Sequence, residues 1–391
     1  TGFEAGKKLG KPVLVVLRCV PCKACTGLDE NVLKSKSLQP LLDDFVCVRL
    51  ISANNIDLKI FQFDYDLSFS ILLFHPDGTL IGRYGSWQHQ IDEAETSLSS
   101  LIETLNRATA LFREWDVNRE SMATKQGMEI PFESPLEIPG LAGKYGRQLN
   151  WEGNVVKSCV HCHQIGDAYR AWYRNRGEAI PQRLIYPMPD PRTVGIRLDQ
   201  RNGIRIKEVE GGSLADAAGF RSGDEVIAIS GAPNLSMADF AWALHRAEDD
   251  DTLRIQVKRG ETTEDLVMRL PLGWRKNSDI QSRVGTWQMR GIALGGLKLD
   301  GLDAKKRAAL GLEQKEIGLS VTHVGEYGEH AAAKKAGFRI GDVIVSMAGI
   351  EGPASESRLI GELLEHHVGR AQVPTTVLRE GKRVELMLPV Q

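Results

Sequence analysis

The sequence lacks the features that mark several protein classes. No apolar run approaches the roughly 20 residues that a membrane-spanning helix needs. A net charge of −2 provides no overall basic surface for nucleic acid. No Gly-x-Ser-x-Gly run and no credible catalytic triad are present, so we expect no protease activity. Six cysteines in 391 residues do not make a disulfide framework. The remaining composition, 42% hydrophobic and 26% charged, is typical of a soluble globular protein.

The few cysteines are clustered, which indicates chemistry. They are Cys19, Cys22, Cys25, Cys47, Cys159 and Cys162. We expect Cys47, which lies inside an apolar strand, to be an inert core residue.

The run from Ser158 to His163 contains Cys159-x-x-Cys162-His163, the attachment pattern of a c-type haem. Two thiols at this spacing can each add to one vinyl group of the same haem, and the adjacent imidazole then binds the iron. We therefore predict one covalent haem c on Cys159 and Cys162, with His163 as proximal ligand. A zinc half-site and chance are the alternatives, and zinc would need a second pair of ligands.

The haem motif also predicts a compartment. In bacteria, haem is attached covalently outside the cytoplasm. We therefore interpret the chain as a periplasmic or otherwise exported protein. The sequence starts at Thr1 without a signal peptide, which we interpret as a mature or trimmed form.

Met188 is the predicted distal iron ligand. It lies in a Pro-Met-Pro loop downstream of the motif, and class I cytochromes c supply their distal methionine from such a position. A thioether ligand would raise the reduction potential. The alternatives are Met122, Met128, a histidine or an open position.

Residues 115–192 are predicted to be a linker followed by the haem-binding segment, with a helix over Ala168–Arg174. This segment is short for a complete cytochrome. We expect residues 115–150 and a neighbouring domain to cover the haem. Residues 144–207 hold 12 Lys and Arg against five Asp and Glu. This excess indicates either a surface for an acidic electron-transfer partner or a solvated basic face.

The first 114 residues resemble the thioredoxin fold. Apolar runs that suit buried strands begin at Pro12, Phe45, Ile71 and Leu80. Asp77-Gly78 marks a hairpin turn, and a long helix is expected over residues 91–114. The order is strand, Cys-x-x-Cys at a helix start, strand, hairpin and closing helix.

The resemblance implies that Cys22 and Cys25 form the catalytic dithiol, because the dipole of the following helix favours a thiolate. Pro21 stands where thioredoxins usually carry Trp, and Phe69 stands where the cis-proline facing the dithiol is expected. Cys19 adds a third thiol. Dithiol redox chemistry, a soft-metal site for Cu(I) or zinc, and a structural disulfide are therefore all open interpretations.

The second half of the chain contains an internal repeat. Ala-Gly-Phe-Arg-x-Gly-Asp occupies residues 218–224 and recurs at 336–342. Each copy is followed by a helical stretch and a strand–turn–strand. The pattern closely resembles bacterial PDZ domains of the kind found in periplasmic serine proteases, and it covers nearly all of residues 193–391.

PDZ domains bind an extended C-terminal peptide as an added strand, and loop amides hold its carboxylate. The resemblance implies peptide-binding loops at Val194-Gly195-Ile196 in the first copy and Leu294-Gly295-Gly296 in the second. The alternative is that one or both modules only brace the other parts or mediate dimerisation.

The predicted fold class is α/β plus mainly-β. A thioredoxin-like domain spans 1–114, and the short α-helical haem segment with its linker spans 115–192. PDZ-like β-sandwich or barrel domains span 193–273 and 274–391.

The leading functional hypothesis is an exported c-type haem protein that transfers electrons. Its thioredoxin-like dithiol could be coupled to the haem, and its PDZ modules dock partner C-termini. The rival hypothesis is a non-catalytic haem-based sensor or adaptor whose PDZ pair binds proteins.

Overall fold

The computed structural model of the chain describes residues 1–18, 29–67, 69–85, 94–369 and 371–391. Within these ranges, no helix is long and apolar enough to cross a membrane. The chain divides into two compact units, Thr1–Ile165 with Met188–Trp274 and Gly166–Pro187 with Arg275–Gln391. The four predicted domain boundaries stay predictions, because a compact unit can hold more than one domain.

The first region is built on a four-stranded sheet. Its elements are α1 (Gly2–Leu9), β1 (Val13–Arg18), a π-helical turn (Asp29–Leu33), α2 (Gln39–Leu42), β2 (Val46–Leu50), β3 (Phe69–Phe74), β4 (Leu80–Tyr84) and α3 (Ala94–Arg113). The strand order is β2-β1-β3-β4, with β1 parallel to β2 and antiparallel to β3. The apolar strand β1 is buried on both faces, as a central strand should be. The predicted thioredoxin-like sheet is confirmed.

Strand β2 differs from its prediction. It lies at the edge of the sheet, and its residues alternate between half-buried and exposed. Cys47 is exposed, so the prediction of an inert core residue is wrong. An apolar run shows that a strand is favourable, but not whether a neighbouring strand covers it.

The connecting region is mostly irregular, as its prolines and glycines predict. Its elements are α4 (Trp115–Asn118), 3₁₀ helices (Arg119–Lys125 and Pro135–Glu137), α5 (Val155–Ser158), α6 (Cys162–Asn175) and α7 (Gln182–Ile185). Helix α6 contains the whole predicted helix over Ala168–Arg174, which is therefore confirmed.

The first repeat copy follows. Its elements are a 3₁₀ helix (Pro191–Val194), β5 (Ile196–Leu198), β6 (Ile206–Val209), α8 (Leu214–Ala217), β7 (Glu225–Ile229), β8 (Ala232–Pro233), α9 (Met237–Arg246), β9 (Asp251–Arg259) and β10 (Thr262–Leu270). Strands β10-β9-β7-β8 form one sheet, and β5-β6 form a second.

The second copy repeats this order within the second unit. Its elements are a 3₁₀ helix (Trp274–Asn277), α10 (Thr286–Leu294), β11 (Leu297–Gly301), α11 (Ala304–Ala309), β12 (Leu319–Val324), a 3₁₀ helix (Gly328–Ala331), α12 (Ala332–Lys335), β13 (Val343–Met347), α13 (Glu356–His366), β14 (Ala371–Arg379) and β15 (Lys382–Val390). These five strands make one sheet in the order β11-β12-β13-β14-β15.

The sheets of both copies are open in the described residues, which corrects the predicted sandwich or barrel. Strands β11 and β15 lie at opposite ends of the second sheet, so no ladder closes it. Pairing of β12 with β13 extends over two residue pairs only. This short pairing leaves the sheet as two leaves instead of a closed cylinder.

The shared motif of the two copies forms the same ion pair in each. Asp224 is 1% exposed, accepts the Arg259 guanidinium at 2.8 Å, and also accepts the Arg221 amide at 2.9 Å. Asp342, also 1% exposed, accepts Arg379 at 2.7 Å and the Arg339 amide at 2.9 Å. The repeated aspartate therefore ties the turn before the buried strand to the following hairpin.

A buried carboxylate joins three parts of the first unit. Asp239 of α9 accepts the backbone amide of Arg83 at 3.0 Å on one oxygen. Its other oxygen accepts the Lys125 ammonium at 2.7 Å. Lys125 also donates to the carbonyl of Ile81 at 2.6 Å, and Ser236 donates to the carbonyl of Arg83 at 2.5 Å. We call these five residues the Asp239 cluster.

The Asp239 cluster satisfies the outer edge of β4. Gln126 extends it, because its side-chain amide pairs with both the amide and the carbonyl of Leu80 at 3.0 and 3.1 Å. Burial lowers the pKa of Lys125, and the Asp239 charge opposes that shift. A buried cation without its carboxylate is strongly unfavourable.

We predict that Asp239→Asn lowers the free energy of unfolding by about 3–5 kcal/mol, because it leaves the Lys125 ammonium buried and unpaired. Urea denaturation of the full chain measures this loss. The substitution also lowers the pKa of Lys125 further below its unfolded value. Folding then becomes more favourable as pH rises towards that value, so the deficit should shrink between about pH 7 and about pH 9.

The control is Asp265→Asn, since Asp265 is exposed on β10 of the same unit. It should change stability by no more than about 0.5 kcal/mol at either pH. Equal losses in the two variants would contradict a structural role for the cluster.

Candidate functional site

The predicted haem-attachment motif lies between two helices. Helix α5 ends at Ser158, Cys159 follows in an extended conformation, and Cys162 is the first residue of α6. Cys159 is fully buried, Cys162 is 9% exposed, and both are free thiols. His163 lies in the first turn of α6 and is half-buried. Two thiols and an imidazole thus meet at one helix start, and this donor set suits covalent haem attachment.

A buried side chain from the thioredoxin-like region holds this motif. Asn54 donates to the carbonyls of Gly146 and Ser158, both at 2.8 Å, and accepts the amide of Val160 at 2.7 Å. Ser158 lies 104 residues further along the chain. Asn54 therefore positions the loop between α5 and α6. The sequence analysis missed it, because nothing in its local pattern separates it from any loop asparagine.

The segment before the motif also contacts it. The Tyr145 hydroxyl lies within hydrogen-bond distance of the Gln164 side-chain amide, at 3.2 Å from its oxygen. The same oxygen accepts the amide of His161 at 2.9 Å. Burial, and then the charge of His163, lower the pKa of His161, which favours its neutral form. The ring centroids of His161 and His163 are 6.0 Å apart.

The predicted distal ligand, Met188, is buried and belongs to the same compact unit as the motif. It has a positive φ of 45°, which is uncommon for a residue with a side chain. Its amide donates to Nδ1 of His245 at 3.3 Å, so α9 fixes the loop. Of the alternatives, Met122 is fully buried and Met128 is half-buried, and the backbone of Met128 pairs with Gln62.

The predicted dithiol, Cys22 and Cys25, lies outside the described residues, as do Cys19 and Pro21. Phe69, at the position expected for the cis-proline, is buried at the start of β3 and pairs with Arg18 at the end of β1.

The first predicted peptide loop is a tight turn. Val194 ends a 3₁₀ helix, Gly195 has a φ of 88°, and Ile196 begins β5. The Gly195 amide donates to the carbonyl of Arg192 at 3.0 Å. A Cβ on Gly195 would lie 2.2 Å from the side chain of Ser213, so only glycine fits here.

The second predicted loop is more enclosed. Leu294 ends α10, and all three residues of Leu294-Gly295-Gly296 are buried. The Gly295 and Gly296 amides both donate to the carbonyl of Arg290. A Cβ on Gly296 would meet the backbone of His330 at 2.0 Å. A carboxylate here would have to replace bonds that the helix end already makes.

The metal-type donors that come together in the described part of the chain lie elsewhere. Glu362, Glu365 and His366 of α13 have ligand atoms within 4.8 Å of one another. Lys276 pairs with both carboxylates, at 2.9 and 3.1 Å, and so neutralises much of their charge.

Comparison with known families assigns two regions. Residues 1–76 match a thioredoxin-like family model, and residues 193–270 match a PDZ domain model. The chain combines a thioredoxin-like region with a PDZ domain. The PDZ match includes Val194-Gly195-Ile196, the Asp224 motif and α9. Residues 77–192 and 271–391 lie outside both matched ranges.

No curated protein matches the chain. Among solved structures, it is similar to an HtrA-type protease, AlgW, crystallised with a decapeptide. The identity is 17%, and the alignment covers 48% of this chain and 53% of the protease, with a TM-score of 0.24. The chain therefore spans about half the length of that protease.

Proposed function

We propose that the protein is an exported c-type haem redox protein that transfers electrons and docks partner C-termini through PDZ modules. The observation that carries this proposal is the pair of free, buried thiols of Cys159 and Cys162 beside His163 at the start of α6. Cys159 and Cys162 would form the two thioethers, and His163 would be the proximal ligand. The bound haem would supply a one-electron couple.

Met188 is the proposed distal ligand. Support comes from its burial, its rigid proline-flanked loop and its place in the same unit as Cys159. The bond to His245 holds the Met188 backbone in an unusual conformation, which is a cost that a functional position can justify. A thioether ligand would suit an electron carrier of raised potential.

Cys22 and Cys25 are proposed as a second redox centre. The confirmed strand β1 leads directly into their segment, which is the arrangement of thioredoxin-like proteins. A dithiol releases two electrons and a haem accepts one. The proposal therefore contains no direct transfer from thiols to haem. Cys19 keeps a metal-thiolate site open as an alternative.

Residues 274–391 are proposed as a second PDZ domain. The support is the order of elements and the identical pairing of Asp342 with Arg379, which repeats that of Asp224 with Arg259. We propose that the first copy binds C-terminal peptides at Val194-Gly195-Ile196. The second loop, with its amides bonded inside the fold, is the weaker candidate.

The proposed location is the periplasm or another exported compartment, which follows from covalent haem attachment. The excess of Lys and Arg over residues 144–207 supports an acidic electron-transfer partner.

We predict that the chain, expressed with a cytochrome maturation system, gains the mass of one haem that survives acid–acetone extraction. A Cys159→Ala, Cys162→Ala double variant should lose it, whereas the control Cys47→Ala should keep it, because Cys47 lies on an edge strand. Intact-mass spectrometry makes the measurement. Haem-free wild-type protein, or zinc in its place, would refute covalent attachment.

We predict a sulfur-to-iron charge-transfer band at the red end of the oxidised spectrum. Met188→Ala should abolish it, and the control Met128→Ala should not. Loss in the Met128 variant would move the assignment there. Absence of the band from wild type would favour an open or nitrogen-ligated iron, and with it the sensor hypothesis.

We predict that the full chain binds peptides with a free C-terminus at about micromolar affinity, and binds their amidated forms much more weakly. Gly195→Ala should weaken binding at least about tenfold, because its Cβ has no room beside Ser213. The control is Gly211→Ala, where an added Cβ meets nothing within 4 Å. Fluorescence polarisation with a labelled peptide library supplies the measurement. Equal capture of free and amidated peptides would leave the modules as structural braces.

A further inference from the structure

A pocket of about 220 Å³ lies in the first unit between the β7–β8 turn, α9 and the 3₁₀ helix Arg119–Lys125. Its apolar walls come from Ile229, Pro233, Trp242 and Leu253. Sites for drug-sized ligands usually enclose roughly 300–1,000 Å³. This pocket is therefore too small for a nucleotide or a haem, and a molecule about the size of an amino acid would fill it.

One wall carries a buried acceptor that no described residue satisfies. Asn234 is 4% exposed and its side-chain nitrogen donates to the carbonyl of Val226 at 2.9 Å. Within the part of the chain that the structure describes, its Oδ1 has no hydrogen-bond partner. Buried amide oxygens are normally paired. A ligand with an N–H donor would supply the missing bond.

The pocket also has one cation and one anion that are not paired with each other. Arg246 donates one N–H to the carbonyl of Gln126 at 3.1 Å, and no described carboxylate forms an ion pair with it. Its guanidinium has further donors for an anion. Asp251 accepts only the backbone amides of Thr252 and Glu248 and pairs with no described cation.

Lys125 and Asp239 also reach the pocket, but they neutralise each other at 2.7 Å. The groups left for a ligand are therefore the Arg246 guanidinium, the Asp251 carboxylate and Oδ1 of Asn234. A carboxylate suits the first of these groups, and an ammonium suits the other two. The indole of Trp242 offers an apolar surface for the rest of the molecule.

We propose that this pocket binds a small zwitterion of the amino-acid class. Arg246 holds the carboxylate, Asn234 and Asp251 receive the ammonium, and the side chain lies against Trp242. None of these residues belongs to the haem motif or the peptide loop. The site can therefore be tested independently of the proposed redox function.

The test is isothermal titration calorimetry of the full chain against the proteinogenic amino acids, each compared with its carboxamide and its N-acetyl form. At least one free amino acid should bind, and both capped forms should bind at least about tenfold more weakly. Arg246→Gln should weaken binding by a similar factor. The matched control is Arg254→Gln, because Arg254 is exposed on β9 and does not line the pocket.

A second variant tests the pocket without removing a charge. Ala243→Leu places a larger side chain from α9 into the space and should abolish binding, with circular dichroism confirming the fold. The proposal is overturned if no amino acid binds at millimolar concentration, since ordinary water would then satisfy Asn234. It is also overturned if the capped forms bind equally well, or if binding persists in both Arg246→Gln and Ala243→Leu.

Discussion

The open edge of β4 is the constraint on which the first unit depends. A sheet edge presents unpaired amides and carbonyls, and burying them without partners is costly. Here side chains replace a fifth strand, since Asp239 accepts the amide of Arg83 and Ser236 donates to its carbonyl. Lys125 neutralises the carboxylate that this arrangement buries. The PDZ helix α9 is therefore part of the thioredoxin-like sheet's boundary, and the two regions form one compact unit.

The repeat shows how a short sequence motif can specify tertiary contacts. Asp224 and Asp342 each satisfy an amide in the preceding turn and an arginine from the following hairpin. A buried carboxylate needs both kinds of partner. The arginines at 259 and 379 stand outside the repeated seven-residue run, yet each sits at the end of its strand before a turn. This pairing explains why Gly-Asp recurs in both copies while the residue before it changes from Ser222 to Ile340.

Local patterns predicted those elements that local physics decides. Strand β1 could be predicted because a run of Val and Leu suits burial on both faces, and α6 could be predicted from its periodicity. Burial of Cys47 could not, since an apolar run is the same at a sheet's edge and at its centre. Asn54 and the pairing of Lys125 with Asp239 depend on contacts over 104 and 114 residues, which no local pattern contains. The haem motif was visible because its three residues are adjacent in sequence.

The contacts of α9 also decide how the first PDZ module can adjust to a peptide. Phe240 and Leu244 face the module's core and are fully buried. Asp239 and Trp242 face the other way, and the Trp242 indole donates to the carbonyl of Thr124 at 3.0 Å and stacks under Arg83 at 3.7 Å. Because both faces are held, a rotation of α9 would break buried hydrogen bonds. Adjustment must therefore come from the turn before β5, where one amide bond joins Gly195 to the preceding 3₁₀ helix. A peptide carboxylate that replaces this bond would exchange one acceptor for a charged one, which is the stronger partner for an amide.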